Sequence, residues 1–254
     1  MTMVRWDRRR RSDSRLPART QPIRAQTATA AMNVVDGFDR TGFLGRLPPQ
    51  IAKDVAAGGR LVHYPARALT FVGDEVTSAG MAIDGLQRVY LESPDGRQLT
   101  IRYVFSGELL GAILLPSVHV SIATQALEKA TVLHFRPGQL QLLAERHPQL
   151  AVALTGEYAE RLGRGYRALA VRAFSSVKAR VAQDLCWRAE AVWSVRGTSA
   201  VVQATHQDLA NAVGSVREVV SRAIDELRRD GLIERAKGGI RVLDLDRLEG
   251  EALA

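Results

Sequence analysis

The eighteen residues Thr205–Arg222, THQDLANAVGSVREVVSR, constrain the fold more than any other stretch. They read as two short helices around one tight turn. Thr205 is placed to cap the first helix, with Asp208 three residues on. Ser215 is placed to cap the second, with Glu218 three residues on, so the capping-box spacing occurs twice. Gly214 lies between, where a sharp turn between packed helices wants positive φ and no side chain. Leu209, Ala210 and Val213 give the first helix an inner face. Val216, Val219, Val220, Ala223, Ile224 and Leu227 do the same for the second, near the helical period. Arg217, Ser221 and Arg222, with Glu218 beside them, are left pointing outward. Such a surface at a helix N-terminus suits a DNA major groove.

Composition does not make this argument by itself. The chain has 254 residues, 46% of them hydrophobic, and a net charge of +8. Residues 1–33 carry eight arginines against Asp7 and Asp13, so +6 of the +8 lies there. From Ser175 onward twelve basic residues face twelve acidic ones, so DNA binding must rest on local placement rather than net charge. The single cysteine, Cys186, excludes an internal disulfide and a cysteine-held zinc or iron–sulfur site. Its apolar neighbours predict a small buried residue. No apolar run reaches the roughly 18–20 residues that span a bilayer. The arginines near the N-terminus precede no apolar segment, so no secretory signal is supported and the cytoplasm is the default compartment.

Read in order, residues 1–33 are expected to form a disordered basic tail, with Arg8–Arg11 free to touch phosphates. Met32 stands just before the first credible helix, which leaves open whether residues 1–31 are part of the expressed protein. Phe38–Ala57 reads as a helical entry with Pro48-Pro49 opening its second piece. Seven strand-like segments follow: 60–64, 69–72, 80–84, 86–92, 98–105, 121–127 and 130–136. Turn residues such as Ser93-Pro94-Asp95-Gly96 separate them. Many short strands with regular turns predict a small antiparallel barrel or roll. After Pro137-Gly138 the period becomes helical. Residues 139–146 form a short helix, and Pro148 opens one of about 26 residues, roughly 39 Å long. Along it run Leu150, Leu154, Tyr158, Leu162, Tyr166, Leu169, Ala173 and Phe174. That stripe is longer than a small roll covers, which predicts packing on a second copy. Ser175-Ser176 caps the next helix, from Val177 to about Val192. Trp187 and Trp193 read as core residues. After the two-helix unit, Leu232–Arg235 and Ile240–Leu243 flank Ala236-Lys237-Gly238-Gly239, a hairpin. Two helices and a following hairpin make a winged helix-turn-helix.

From residue 38 the chain resembles the cyclic-AMP receptor protein/FNR (Crp/Fnr) family of bacterial transcription regulators. Thr205, Gln207, Gly214, Arg217, Glu218 and Arg222 fall on its helix-turn-helix signature without a gap. Ala182-Gln183-Leu185 and Gly231-Leu232-Ile233 match the flanks, His147-Pro148 to Leu162 and Phe174 resemble the dimer helix and hinge, and Val72-Gly73-Asp74 with Asp84-Gly85 resembles the roll. The resemblance implies an α+β fold: a cyclic-nucleotide-binding-type β-roll (38–137), a short helix and dimerisation helix (138–174) and a winged helix-turn-helix (175–246), with 247–254 left as a tail. It implies that Arg217, Glu218 and Arg222 read bases, that Thr205, Gln207, Ser215 and Lys237 meet DNA phosphates, and that Leu154, Tyr158, Leu162, Tyr166 and Leu169 form a homodimer interface. Glu218 has a second reading as a partner of the Ser215 cap. Double-stranded DNA, a second copy and RNA polymerase are the implied partners, with no membrane.

The ligand cassette departs from the family. Cyclic-AMP-binding members carry a Gly-Glu pair for the ribose and an Arg-Ser pair for the phosphate. Here Ala112 follows Gly111 where that Glu belongs, Val120 stands in the Arg position before Ser121, and Gly165-Tyr166 replace a Thr-Ser pair. Glu108 sits three residues before Gly111, on an Asp-like position. No replacement arginine lies nearby in the sequence, and an unpaired buried phosphate is strongly disfavoured. Cyclic AMP is therefore not expected to bind in the family's manner. Ile113-Leu114-Leu115 suits an apolar effector, a protein contact or none, so no cofactor is predicted and the effector is unassigned. A haem-sensing regulator would need an axial ligand, for which His63, His119, His134 and His147 qualify by residue type only. An architectural DNA-binding dimer with little sequence preference is the other alternative. No nucleophile elbow, phosphate loop, dinucleotide fingerprint or metal-ligand spacing points to an enzyme.

Overall fold

A computed structural model describes residues 24–26, 42–72, 79–93, 95–111, 122–136, 138–196 and 201–253. Its N-terminal half is two antiparallel sheets. One runs β1–β2–β9–β4–β7, made of Arg24–Gln26, Arg60–Tyr64, Ala130–Phe135, Ala79–Asp84 and Leu109–Gly111. The other runs β3–β8–β5–β6, made of Leu69–Val72, Ile122–Ala126, Gln87–Glu92 and Gln98–Val104. The period-2 alternation of strands sorts their side chains into two layers. Ala82, Leu110 and Val132 point between the sheets, towards Phe71, Val89 and Val104. Their chain neighbours Met81, Leu109 and Leu133 point the other way, into a helical layer.

That helical layer begins with a 3-10 turn, Phe43–Arg46, and α1, Pro49–Ala57, which has proline at its first position. It continues through α2, Gln139–Arg146, and the first two turns of α3, Pro148–Phe174. Leu150 and Leu154 are fully buried in it. Beyond Leu154 the α3 stripe leaves the chain's own core: Leu162, Tyr166, Leu169 and Phe174 are 57–89% exposed. Between them, buried Glu157 accepts from Arg161 Nε at 2.9 Å, with Arg164 and Arg46 at 3.8 and 3.9 Å.

The C-terminal half has its own core, around α4, Val177–Arg196. Ser176 caps α4, its Oγ accepting from the Ala179 N–H at 3.1 Å. Against it pack α5, His206–Val213, and α6, Arg217–Arg229. The sheet β10–β12–β11, made of Val201–Val202, Gly239–Val242 and Ile233–Ala236, joins them. Cys186 is buried there as predicted, and burial pushes its thiol up to about 12.

The halves meet along β6. The Tyr103 hydroxyl donates to the Asp184 carboxylate on α4. Asp184 also accepts from Arg188 Nε at 2.7 Å, with both side chains about 5% exposed. Arg188 lies 5.2 Å over the Tyr103 ring, and Trp187 meets that ring edge-on at 6.0 Å.

The structure corrects the sequence reading in three places. Arg24–Gln26, expected in a disordered tail, pairs antiparallel with β2; the rest of residues 1–33 lies outside the described residues. Residues expected as a C-terminal tail belong to a helix, α7, Leu245–Leu253, whose Leu248 and Ala252 pack into the C-terminal core. The short strands β7 and β10 were not predicted, because three and two residues are too few to show a period. Trp187 is half-buried at the junction of the halves rather than in a core, and the side chain of Trp193 lies outside the described residues.

Leu248 tests whether α7 is part of the fold. It is fully buried, so Leu248→Ala is expected to destabilise the C-terminal half by about 2–5 kcal/mol, measured by urea unfolding; a loss under 0.5 kcal/mol would make α7 a surface appendage.

Candidate nucleic-acid interface

The first capping box forms as the sequence predicts. Thr205 Oγ1 accepts from the Asp208 N–H at 3.1 Å, and the Asp208 carboxylate accepts from the Thr205 N–H at 2.9 Å. Burial works to raise the Asp208 pKa. The bonds from Thr205, with Arg67 nearby, outweigh burial and hold it below the usual carboxylate range. At the end of α5, Gly214 takes φ 66°, the left-handed turn that glycine accepts at no steric cost. A Cβ there would also stand 2.7 Å from Leu99 of β6, so two constraints require this glycine.

The second box does not form. Val216, not Ser215, is the N-cap of α6, with extended backbone and no side-chain cap. The left-handed turn ties the Ser215 N–H to Ala210 O at 3.0 Å, which draws Ser215 into the end of α5. Val216, expected on the inner face, is accordingly 56% exposed. Glu218 is left without a capping role. Val220, Ala223, Ile224 and Leu227 form the buried face of α6.

Arg217, Glu218 and Arg222 are exposed on the first two turns of α6, with Ser221 half-buried beside them. Thr205 and Gln207 are exposed at the N-terminus of α5, where Gln207 Nε2 donates to Asn211 at 2.9 Å. Lys237 is exposed in the β11–β12 turn, next to Gly238 at φ 84°. The structure thus collects residues from two helices and a hairpin turn in one C-terminal unit, without an acidic partner on Arg217 or Arg222 among the described residues.

The dimer stripe divides. Leu154 is wholly buried in the chain's own core and is withdrawn from it. Tyr158 is half-buried against that core, while Leu162, Tyr166 and Leu169 face outward. A continuous stripe in sequence does not reveal where a helix leaves its own domain.

In the roll, Ala112, Ile113–Leu115, His119, Val120 and Ser121 lie outside the described residues. The expectation that no arginine lies near the cassette is overturned. Arg102 Nη2 donates to Leu109 O at 2.8 Å, and Arg161 Nη1 to Gly111 O at 3.3 Å. Arg102 and Arg164 hold Glu108 at 3.2 and 3.3 Å. Burial, then Arg161, presses the Arg102 guanidinium down to about 9. These arginines are committed to carbonyls and carboxylates. They come from positions up to sixty residues apart, which no local motif signals. Of the histidines considered, His63 bonds Thr131 Oγ1 at 3.0 Å and His147 stands 3.8 Å from Asp54. His134 bonds the Tyr64 hydroxyl at 2.8 Å, and burial, with Arg60, pushes it down to about 4.

The Thr205 cap is the local test of this scaffold. Thr205→Ala is expected to cost about 1 kcal/mol. Because the Asp208 pKa is depressed on folding, its contribution is present above the unfolded value near 3.9 and is lost as pH falls through the folded value. Urea midpoints of wild type and Asp208→Asn should therefore converge below about pH 4; a constant gap from pH 7 to pH 3 would show that the carboxylate contributes nothing through its charge.

Known proteins resemble both halves. The Crp-like helix-turn-helix domain matches residues 179–251. The transcriptional regulator LdrP of Thermus thermophilus is 31% identical over 71% of this chain and 90% of its own length. The cAMP-activated global transcriptional regulator Vfr of Pseudomonas aeruginosa is 26% identical over 67% of this chain and 83% of its own. A CRP/FNR-family transcriptional regulator of Thermus thermophilus, known by crystal structure, superposes with a TM-score of 0.63 at 28% identity, covering 76% of this chain and 98% of that one. With the two-sheet roll, the long helix and the helix-turn-helix in place, the chain belongs to the Crp/Fnr family of transcription regulators, and its C-terminal half is a Crp-type helix-turn-helix DNA-binding domain.

Proposed function

We propose that the chain works as a homodimer that reads a near-palindromic site on double-stranded DNA through two copies of α6. The observation that carries this reading is the exposed apolar run Leu162, Tyr166, Leu169 and Phe174 on a helix whose root is fixed in the roll. Monomeric proteins rarely leave such a contiguous stripe in water. A second α3 packed against it buries the stripe and sets two α6 helices apart, to enter major grooves roughly 34–36 Å from each other.

In this reading Arg217 and Arg222 donate two hydrogen bonds each to guanine O6 and N7, and Glu218 accepts from cytosine N4. The missing Ser215–Glu218 box favours base reading by Glu218, since its carboxylate is exposed and has no cap to serve. Thr205, Gln207, Ser215 and Lys237 hold phosphates and fix the register without reading sequence. RNA polymerase is the expected protein partner, the cytoplasm the expected compartment, and no catalysis is assigned.

Cyclic AMP does not bind this chain in the family's manner. The activation named for the P. aeruginosa relative does not carry over, because Ala112 and Val120 replace the residues that would grip ribose and phosphate. Arg102, Arg161 and Arg164 do not substitute, being engaged by Glu108, Glu157 and backbone carbonyls.

Two measurements test these statements. On a palindrome selected from random DNA, Arg217→Ala and Arg222→Ala should each lose about 1–3 kcal/mol of discrimination and retain salt-sensitive non-specific binding; full specificity in both variants would refute the base-reading assignment. In sedimentation equilibrium, wild type should be dimeric and the double variant Leu162→Glu/Tyr166→Glu monomeric with a folded circular-dichroism spectrum. A dimer that survives both substitutions would place the interface elsewhere.

A further inference from the structure

Where the roll, the end of α3 and the helix-turn-helix meet, a small cavity is lined by Thr100, Arg172, Arg180, Asp184, Trp187 and Val213, among others. Its chemistry is unusual in one respect. Thr100 is 1% exposed, and its hydroxyl is buried without a hydrogen-bond partner among the described residues. The same is true of the Nε groups of Arg172 and Arg180 and of Nη2 of Arg188. Buried donors are nearly always paired, so four orphans around one cavity call for an acceptor.

The charges point the same way. Arg188 is paired with Asp184, whose other oxygen takes the Tyr103 hydroxyl. Arg172 and Arg180 have no carboxylate within 4 Å among the described residues; their remaining bonds go to carbonyls. Arg172 donates to Thr100 O and Ala168 O, and Arg180 to Val213 O at 3.2 Å. Burial and then the neighbouring Arg180 lower the Arg172 pKa, while Asp184 only partly offsets them. The wall therefore carries two more positive charges than negative ones, with N–H and O–H groups left to donate.

Size narrows the occupant. The cavity is about 20 Å³, where one water takes roughly 10–15 Å³. That excludes a nucleotide and admits an ion of three or four heavy atoms. We propose that Thr100, Arg172 and Arg180 form a binding site for a small monovalent oxyanion of the size of formate or nitrate. The site is separate from both the DNA-reading surface and the nucleotide cassette, and it stands whether or not the chain reads DNA as proposed above. Its walls come from β6, α3, α4 and α5, so the ion binds only when the two halves are docked and stabilises that arrangement.

The test titrates the full chain with sodium formate at constant ionic strength, the balance held by a bulky morpholine-sulfonate salt. Wild type should show a saturable rise in Tm of about 2–4 °C at roughly five times Kd, with a parallel saturable change in tryptophan emission. Thr100→Val keeps the shape and removes only the hydroxyl; Arg180→Gln removes one charge. Each should raise the formate midpoint at least about tenfold while circular dichroism stays native. Should Arg180→Gln fail to fold, Thr100→Val alone decides. Absence of a saturable response in wild type, or an unchanged midpoint in Thr100→Val, overturns the proposal. A response to cyclic AMP that Thr100→Val abolishes would overturn the size assignment.

Discussion

The buried pair Asp184–Arg188, closed by the Tyr103 hydroxyl, is the contact on which the relation between the two halves depends. Burial acts to lower the Arg188 pKa, and Asp184 more than reverses it, so the guanidinium stays charged. For Tyr103, burial raises the phenol pKa far beyond neutral, which keeps it a donor. Such a triad contributes little net stability against an apolar replacement, but leaving one charge behind costs about 3–5 kcal/mol. It therefore favours one docking geometry over its neighbours more than it favours docking itself. An apolar contact of the same area slides; this one fits in a single register.

The helix-turn-helix sits against the roll by the same contact. Gly214 turns between α5 and α6 with Leu99 of β6 directly over it, and Arg67 of the roll stands 3.8 Å from Asp208 of the capping box. The turn that defines the motif is thus also a point of contact between the halves. A side chain at 214 would meet two obstacles of separate origin, backbone strain within the motif and collision with the roll.

Much of this was legible in the sequence, and the misses have particular causes. Thr205 and Ser215 present the same capping spacing, yet only Thr205 forms its box. The difference lies in Gly214, whose turn uses the Ser215 N–H to close α5, and a spacing rule does not count hydrogen bonds already taken. The seven predicted strands were visible through their alternation and turns, whereas β7 and β10 have no period to detect. Leu154 and Leu162 occupy equivalent places on one stripe, and only the fold shows that the roll stops between them. The arginines around Glu108 converge from β6 and α3, and convergence over sixty residues leaves no local trace.

The division of α3 has a mechanical meaning. Its first two turns are clamped in the roll by Leu150 and Leu154, and about twenty further residues project beyond the clamp. At 1.5 Å per residue that is a cantilever of about 30 Å. A rotation of about 5° at the clamp, too small to break the packing around Leu154, carries the tip near Phe174 through roughly 2.6 Å. Small strains in the roll therefore arrive at the hinge as displacements of atomic size, without any rearrangement along the shaft.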